Sequence, residues 1–228
     1  MSGFSIHDLS LSSFDPLRAH STRVHCGQCN RSRRFFCYDC HKLLMPSEGV
    51  PKLNLPVHVN IVRHAGEPAS KSSIIPLKII SPDDVSIFKY HPVTGGTLPE
   101  LDPTESVILY PSEDASDVSD IDWSTVNNLL VIDSTWTQTK SILNSIGHES
   151  FRKVRLSASY KTQFWRYQTG KSDNCLATAE AIYLLLRDAY KFPGLDDLLW
   201  FYGFSHSEIQ HRSVSQKLPG RSNIKGVS

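Results

Sequence analysis

The feature that most constrains the fold is the run Leu129-Leu130-Val131-Ile132, apolar throughout and closed by the acid Asp133. A continuous, partly β-branched run of this kind reads as a strand buried on both faces, the pattern of a central strand in a parallel sheet. Parallel neighbours need long crossovers, so helices must lie between the strands. Ser134 and Thr135 follow Asp133, and a helical pattern then covers residues 137–146. Strand, tight turn and helix start therefore succeed one another without a spacer. Open α/β sheets bind ligands outside the carboxyl ends of their strands, so Asp133 stands at the lip of a pocket. Capping alone explains an acid or hydroxyl at that position. It does not explain Trp136, whose expected role is core packing that fixes the turn.

The rest of the chain repeats the alternation. Residues 57–62, 77–80, 107–110 and 154–156 read as strands, and residues 178–190 and 195–204 as helices. In the first of these helices Ile182, Leu185, Leu186 and Ala189 share a face. Thr178 is its expected N-cap, and Glu180 suits the positive end of its dipole. Residues 112–122 are acidic and serine-rich and read as a solvated loop. The class is α/β.

With 228 residues the chain can hold one sizeable core and a small appendage. A formal charge of +1 supplies no global pull toward a polyanion, so any such affinity must be local. No apolar run approaches the ~18 residues of a spanning helix, and no membrane association is expected. Residues 1–14 are polar and serine-rich, without the basic-then-apolar order of a secretory leader. The expected compartment is reducing, nucleus or cytoplasm. No exposed apolar stripe calls for an obligate protein partner.

Cys26, Cys29, Cys37 and Cys40 form C-x2-C-x7-C-x2-C, whereas Cys175 stands alone. Where thiols stay reduced, two such close knuckles indicate a metal before a disulfide. Four thiolates complete a tetrahedral Zn2+ shell and leave no position for water, so the metal is expected to be structural. His25 and His41 flank the cluster as exposed neighbours. The module is basic, with Arg31, Arg33 and Arg34 interleaved with Phe35, Phe36 and Tyr38. Cations beside aromatics suit RNA backbone and bases, and the same aromatics could simply pack the small metal core.

Two nucleotide motifs are excluded. No G-x-G-x-x-G occurs. Gly170-Lys171-Ser172 imitates the end of a P-loop, but the first glycine of that motif would fall on Trp165.

Asp133-Ser134-Thr135-Trp136 fits the D-x-T-W signature, and three further segments occur in order. They are Val107-Ile108-Leu109-Tyr110-Pro111-Ser112, Phe164-Trp165-Arg166-Tyr167-Gln168-Thr169-Gly170-Lys171, and Leu176-Ala177-Thr178-Ala179-Glu180-Ala181. Together with the cysteine cluster they resemble the DTW-domain family, the tRNA-uridine aminocarboxypropyltransferases, nearest the first of its two eukaryotic branches. The resemblance spans residues 26–204. It implies a SPOUT-like, mostly parallel sheet with a C-terminal trefoil knot, preceded by a small zinc ribbon. It also implies transfer of the 3-amino-3-carboxypropyl group of S-adenosyl-L-methionine to N3 of a tRNA uridine, in the D-loop, with release of 5′-methylthioadenosine. The alternatives are a SPOUT-type RNA methyltransferase and a non-catalytic zinc-ribbon RNA-binding protein.

Residues 1–20 read as a flexible leader and 211–228 as a flexible, polar tail; on this resemblance 21–46 are the zinc ribbon and 50–210 the catalytic domain. Asp133 is the expected base for the N3 proton. Tyr110, Pro111, Ser112, Leu176, Ala177 and Thr178 are expected to bind the co-substrate, and Arg166, with Lys171 as second choice, to pair with its carboxylate, tRNA phosphate being the alternative partner of both. Arg31, Arg33, Arg34, Trp165 and Lys171 are expected to contact tRNA, and Glu180 is a further catalytic candidate. The chain departs from the family pattern at Ala65, where proline is usual, at Ala177, where serine is usual, and at Ala179, where a larger apolar residue is common.

Overall fold

The computed structural model describes residues 4–157, 160–163 and 175–216. Its centre is a seven-stranded sheet. The strands are β5 (His58–His64), β6 (Val85–His91), β7 (Gly95–Gly96), β8 (Ser106–Leu109), β9 (Ser116–Asp117), β10 (Asn128–Asp133) and β11 (Arg152–Arg155), in the order β7-β6-β5-β10-β8-β11-β9. All neighbours run parallel except the short β6–β7 pair. Four two-residue strands precede them as two antiparallel pairs: β1 (Val24–His25) with β2 (Ser32–Arg33), and β3 (Phe36–Cys37) with β4 (Lys42–Leu43).

The continuous apolar run is the central strand. β10 lies between β5 and β8, and its residues alternate between two cores. Leu129 and Val131 join the larger core with α2 (Ile75–Ile80), α4 (Thr178–Tyr190) and α5 (Trp200–Gln216). Leu130 joins the smaller one, with Ile142 and Leu143 of α3 (Trp136–Ile146). α2 joins β5 to β6 on one face, whereas α3 joins β10 to β11 on the other. The adjacent strands β5 and β10 thus send their chains to opposite faces, which opens a crevice at their carboxyl ends. Gly147 ends α3 in the left-handed region, φ 70°, where its backbone N–H returns to the carbonyls of Leu143 and Asn144.

Four segments differ from the pattern expected. Residues 77–80 belong to a helix, not a strand: Pro76 occupies the first turn of α2, and Ile75, Leu77, Ile79 and Ile80 are all buried. The leader is not loose. Phe4, Ile6 and Leu17 are core residues, and α1 (Asp15–Ala19) follows. The Ser10 and Ser12 backbone amides donate to Asp196 and Asp197 at 2.7 Å, and the Trp200 indole donates to the Ser12 carbonyl at 3.0 Å. The acidic loop is only partly solvated, because β9 pairs with β11 and Val118 is buried. Lys153 pairs with Asp114 and holds its carboxyl down to about 2. The C-terminal helix starts as a 3-10 segment, Leu195–Leu199, and α5 then continues to Gln216, past the expected end at 204 and into the expected tail.

Candidate active site

Asp133 is the last residue of β10 and is half-buried. Each carboxylate oxygen accepts one hydroxyl: Oδ2 from Ser72 at 2.8 Å, and Oδ1 from Thr178 at 2.6 Å. Ser72 closes the 3-10 turn Ala69–Lys71 before α2, and Thr178 is the first residue of α4. Three segments far apart in sequence therefore converge on one carboxylate. Two neutral donors fix its orientation and leave its remaining lone pairs for a ligand. Ser73 braces the arrangement by accepting the Ala179 backbone N–H at 3.2 Å.

The rest of the tetrapeptide divides. Ser134 meets the Thr139 hydroxyl at 2.9 Å inside the first turn of α3. Thr135 is the N-cap, and its backbone N–H donates to the Gln138 side chain at 3.0 Å. Trp136 is not core: it is 56% exposed. α3 begins at the edge of the sheet, so its first turn has no strand beneath it. An exposed indole thus stands three residues from Asp133.

Thr178 is not the N-cap; Ala177 is, and the Thr178 hydroxyl serves Asp133 instead. The departure at Ala177 removes a capping hydroxyl. The Glu180 half of the capping box remains, accepting the Ala177 backbone N–H at 2.7 Å. Glu180 is fully buried and also accepts from the Thr162 hydroxyl, the Gln163 backbone and the Tyr202 phenol at 2.7, 2.6 and 2.8 Å. A carboxylate with four donors and no solvent is a structural hub, so Glu180 is withdrawn as a catalytic candidate. Desolvation and the adjoining carboxylate push the Tyr202 phenol well above its ordinary range, which keeps it a donor.

Tyr110, Pro111 and Ser112 leave β8 at the same carboxyl edge. Tyr110 packs against the smaller core, the face opposite Asp133. Leu176 and Ala177 lead directly into α4 below Thr178. Trp165, Arg166 and Lys171 lie outside the described residues.

The cysteine knuckles are built alike. The Asn30 amide returns to the Cys26 carbonyl at 2.8 Å and the His41 amide to the Cys37 carbonyl at 2.9 Å. Asn30 and His41 both take the left-handed conformation, φ 56° and 53°. Each turn aims two thiols inward, and all four sulfurs lie within 4.8 Å of one another. A tetrahedral Zn–S4 centre needs sulfurs about 3.8 Å apart, so the four cysteines could hold a metal ion. The Cys29 and Gln28 backbone amides draw the Cys26 thiol down to about 6, whereas burial and the neighbouring thiols push Cys40 up to about 12. Four crowded thiols resist ionising together, and a bound cation removes that conflict.

A cleft of about 460 Å³ lies between this module and the start of α2 and α5. It is lined by Arg33 and Tyr38 of the module, Ser72 and Ser73 ahead of α2, and Phe201 and Tyr202 of α5. Ser72 belongs to both features, so the Asp133 carboxylate is one hydrogen bond from the cleft. Arg34 also lines the cleft, but its guanidinium donates to the His20 carbonyl at 2.9 Å and ties the first residues to the ribbon. Arg31 and Arg33 share Asp39 at 3.7 and 3.2 Å. Ser72 was not foreseen, though the serine-rich stretch Ser70-Lys71-Ser72-Ser73 ahead of α2 marked a polar loop. Arg63, at the end of β5 opposite Asp133, was also missed, because a cation inside a strand pattern gives no sign of burial.

Among the described residues no helix is long and apolar enough to cross a membrane. No solved structure matches the chain. The mouse protein named tRNA-uridine aminocarboxypropyltransferase 1 is 30% identical over 90% of this chain and 84% of its own length. Its human and rat namesakes are each 28% identical, over 92% and 83% of this chain and 85% and 78% of their own lengths. The DTW domain model matches residues 34–210, which takes in both the second knuckle and the Asp133 turn, and the chain belongs to the DTW-domain family.

Proposed function

We propose that this protein is a tRNA-uridine aminocarboxypropyltransferase that modifies N3 of a D-loop uridine and releases 5′-methylthioadenosine. The observation that carries the reading is the Asp133 carboxylate, oriented by Ser72 and Thr178 at the β5/β10 crevice and opening toward a basic, aromatic cleft. The relatives named above support the substrate class.

S-adenosyl-L-methionine supplies the aminocarboxypropyl carbon, activated by its bond to a sulfonium sulfur. Asp133 accepts the N3 proton as the N3–carbon bond forms and the carbon–sulfur bond breaks. Trp136, exposed beside Asp133, stacks on the target base. Tyr110 to Ser112 and Leu176 to Thr178 hold the nucleoside through main-chain groups, and Arg166 and Lys171 serve the co-substrate carboxylate or the RNA backbone. Arg31 and Arg33 contact tRNA phosphates at the rim, with Arg34 holding the ribbon in place beside them. Zn2+ on Cys26, Cys29, Cys37 and Cys40 fixes the ribbon and takes no part in the chemistry. The fold is SPOUT-like with a knotted C-terminal part, a reading supported by the out-of-order entry of β10 between β5 and β8. Residues 50–210 form the catalytic domain and 21–46 the ribbon, and the protein acts in the nucleus or cytoplasm.

One reaction tests this: purified protein, S-adenosylmethionine and unmodified tRNA transcript, with nucleosides and small products read by mass spectrometry. Aminocarboxypropyluridine with methylthioadenosine is expected. A methylated nucleoside with adenosylhomocysteine would overturn the transferred group and keep the site.

A further inference from the structure

Arg63 ends the same crevice and has no role in that scheme. It is only 7% exposed. One Nη donates to the Glu67 carbonyl at 2.7 Å, while Nε is sealed from solvent and meets no acceptor. Among the described residues no carboxylate lies within ion-pair distance of it. A buried guanidinium without a counter-charge is costly, and most proteins supply a partner. The adjacent acid does not do so: the Asp133 carboxylate is oriented by Ser72 and Thr178 and makes no ion pair with Arg63.

The register adds direction. Arg63 pairs with Asp133 across β5 and β10. Parallel strands lie about 4.8 Å apart, and register partners project from the same face. Ile61 and Val131, two residues before each, both belong to the larger core. A cationic and an anionic residue thus leave neighbouring strand ends on the same face without forming an ion pair.

We propose that Arg63 binds the α-carboxylate of the S-adenosylmethionine amino-acid end, which leaves the RNA backbone to Arg166 and Lys171. The inference rests on the transferase reading above. A zwitterionic amino acid matches the pair: its carboxylate turns to the guanidinium, and Asp133 repels that carboxylate and attracts the ammonium. The carbon chain is thereby oriented toward the acid that receives the N3 proton. A tRNA phosphate is the weaker fit, since a polyanion travels over the surface and this guanidinium is almost wholly enclosed. The fork of Nε and Nη that arginine offers suits a planar carboxylate in bidentate fashion, and Nε is the atom left without an acceptor.

The test is calorimetric, on full-length metal-loaded protein, comparing wild type with Arg63→Gln and Arg63→Lys. Three probes are titrated: S-adenosylmethionine, 5′-methylthioadenosine (which lacks the amino-acid end) and tRNA transcript. Arg63→Gln should weaken S-adenosylmethionine by roughly 30-fold or more, the cost of leaving one member of a buried charge pair alone. Methylthioadenosine and tRNA affinities should stay at wild-type values. Arg63→Lys keeps the charge but not the fork, so its preference for S-adenosylmethionine over methylthioadenosine should also fall, by a smaller factor. If Arg63→Gln does not fold, that ratio in Arg63→Lys decides, and an unchanged ratio overturns the proposal. Equal weakening of both nucleosides would make Arg63 a structural support, and weakened tRNA with intact S-adenosylmethionine would make it a phosphate contact; either overturns it. Wild-type protein that binds no S-adenosylmethionine would overturn the transferase reading itself, a distinct result.

Discussion

Asp133 and Glu180 both meet the first turn of α4, and their surroundings differ in kind. Glu180 has no exposure and four donors: two backbone amides, a threonine hydroxyl and a tyrosine hydroxyl. Asp133 is half-buried and has two hydroxyl donors. A carboxylate accepts about four hydrogen bonds, so Glu180 is saturated and Asp133 is half filled. The difference teaches where chemistry can happen. A saturated acid has no lone pair to offer a substrate, and its work is to join the segments that reach it. A half-filled acid is aimed but still available.

The largest expected effect follows from that availability. Asp133→Asn should cut product formation by about 1,000-fold, the middle of the range for a lost general base, with little change in melting temperature. Single-turnover mass spectrometry and thermal denaturation check it together, and full activity would erase the distinction between the two acids. Glu180→Ala should do the converse. It strands four donors, two of them fully buried, and should remove about 3 kcal/mol or more of stability, read from denaturant midpoints, with turnover per folded molecule preserved. A stable but inactive variant would place Glu180 in the chemistry after all. Thr178→Val sharpens the comparison by loosening the aim of Asp133 alone, and about 30-fold lower kcat is expected with an ordinary fold, since a hydrogen bond to a charged group is at stake. The smallest effect belongs to the exposed neighbour: Trp136→Ala should weaken tRNA binding about 5-fold and Trp136→Phe much less. Equal affinities in both variants would deny the indole a stacking role.

What was legible in the sequence is what local pattern can carry. The Leu129 to Ile132 run, the α4 periodicity and the two C-x-x-C turns each report their own geometry within a few residues. Leu77 to Ile80 misled because a short apolar run with β-branched residues looks alike in a buried helix and a buried strand. The first residues misled because three anchors, Phe4, Ile6 and Leu17, are dispersed among serines and polar residues. Half of the candidate site was legible, Asp133 and Thr178, and its other members were hidden by distance. Ser72 reaches Asp133 across 61 positions and Thr178 across 45, and no local rule encodes such pairings. Arg63 becomes notable only once its burial and lack of a counter-charge are seen.

The placement of β10 between β5 and β8 has a consequence for how the molecule comes into being. Both neighbours are earlier in the chain, so they must wait, with facing edges unpaired, until residues 128–133 arrive to fill the gap. Such non-local closure is slow, and open apolar edges in the meantime are exposed to pairing with other chains. A nascent chain halted before residue 128 lacks both partners of β8 and would hold only the β5–β6–β7 part of the sheet and no crevice. Because the strand that joins β5 to β8 is also the strand that carries Asp133, the acid reaches its place only where the two parts of the sheet meet.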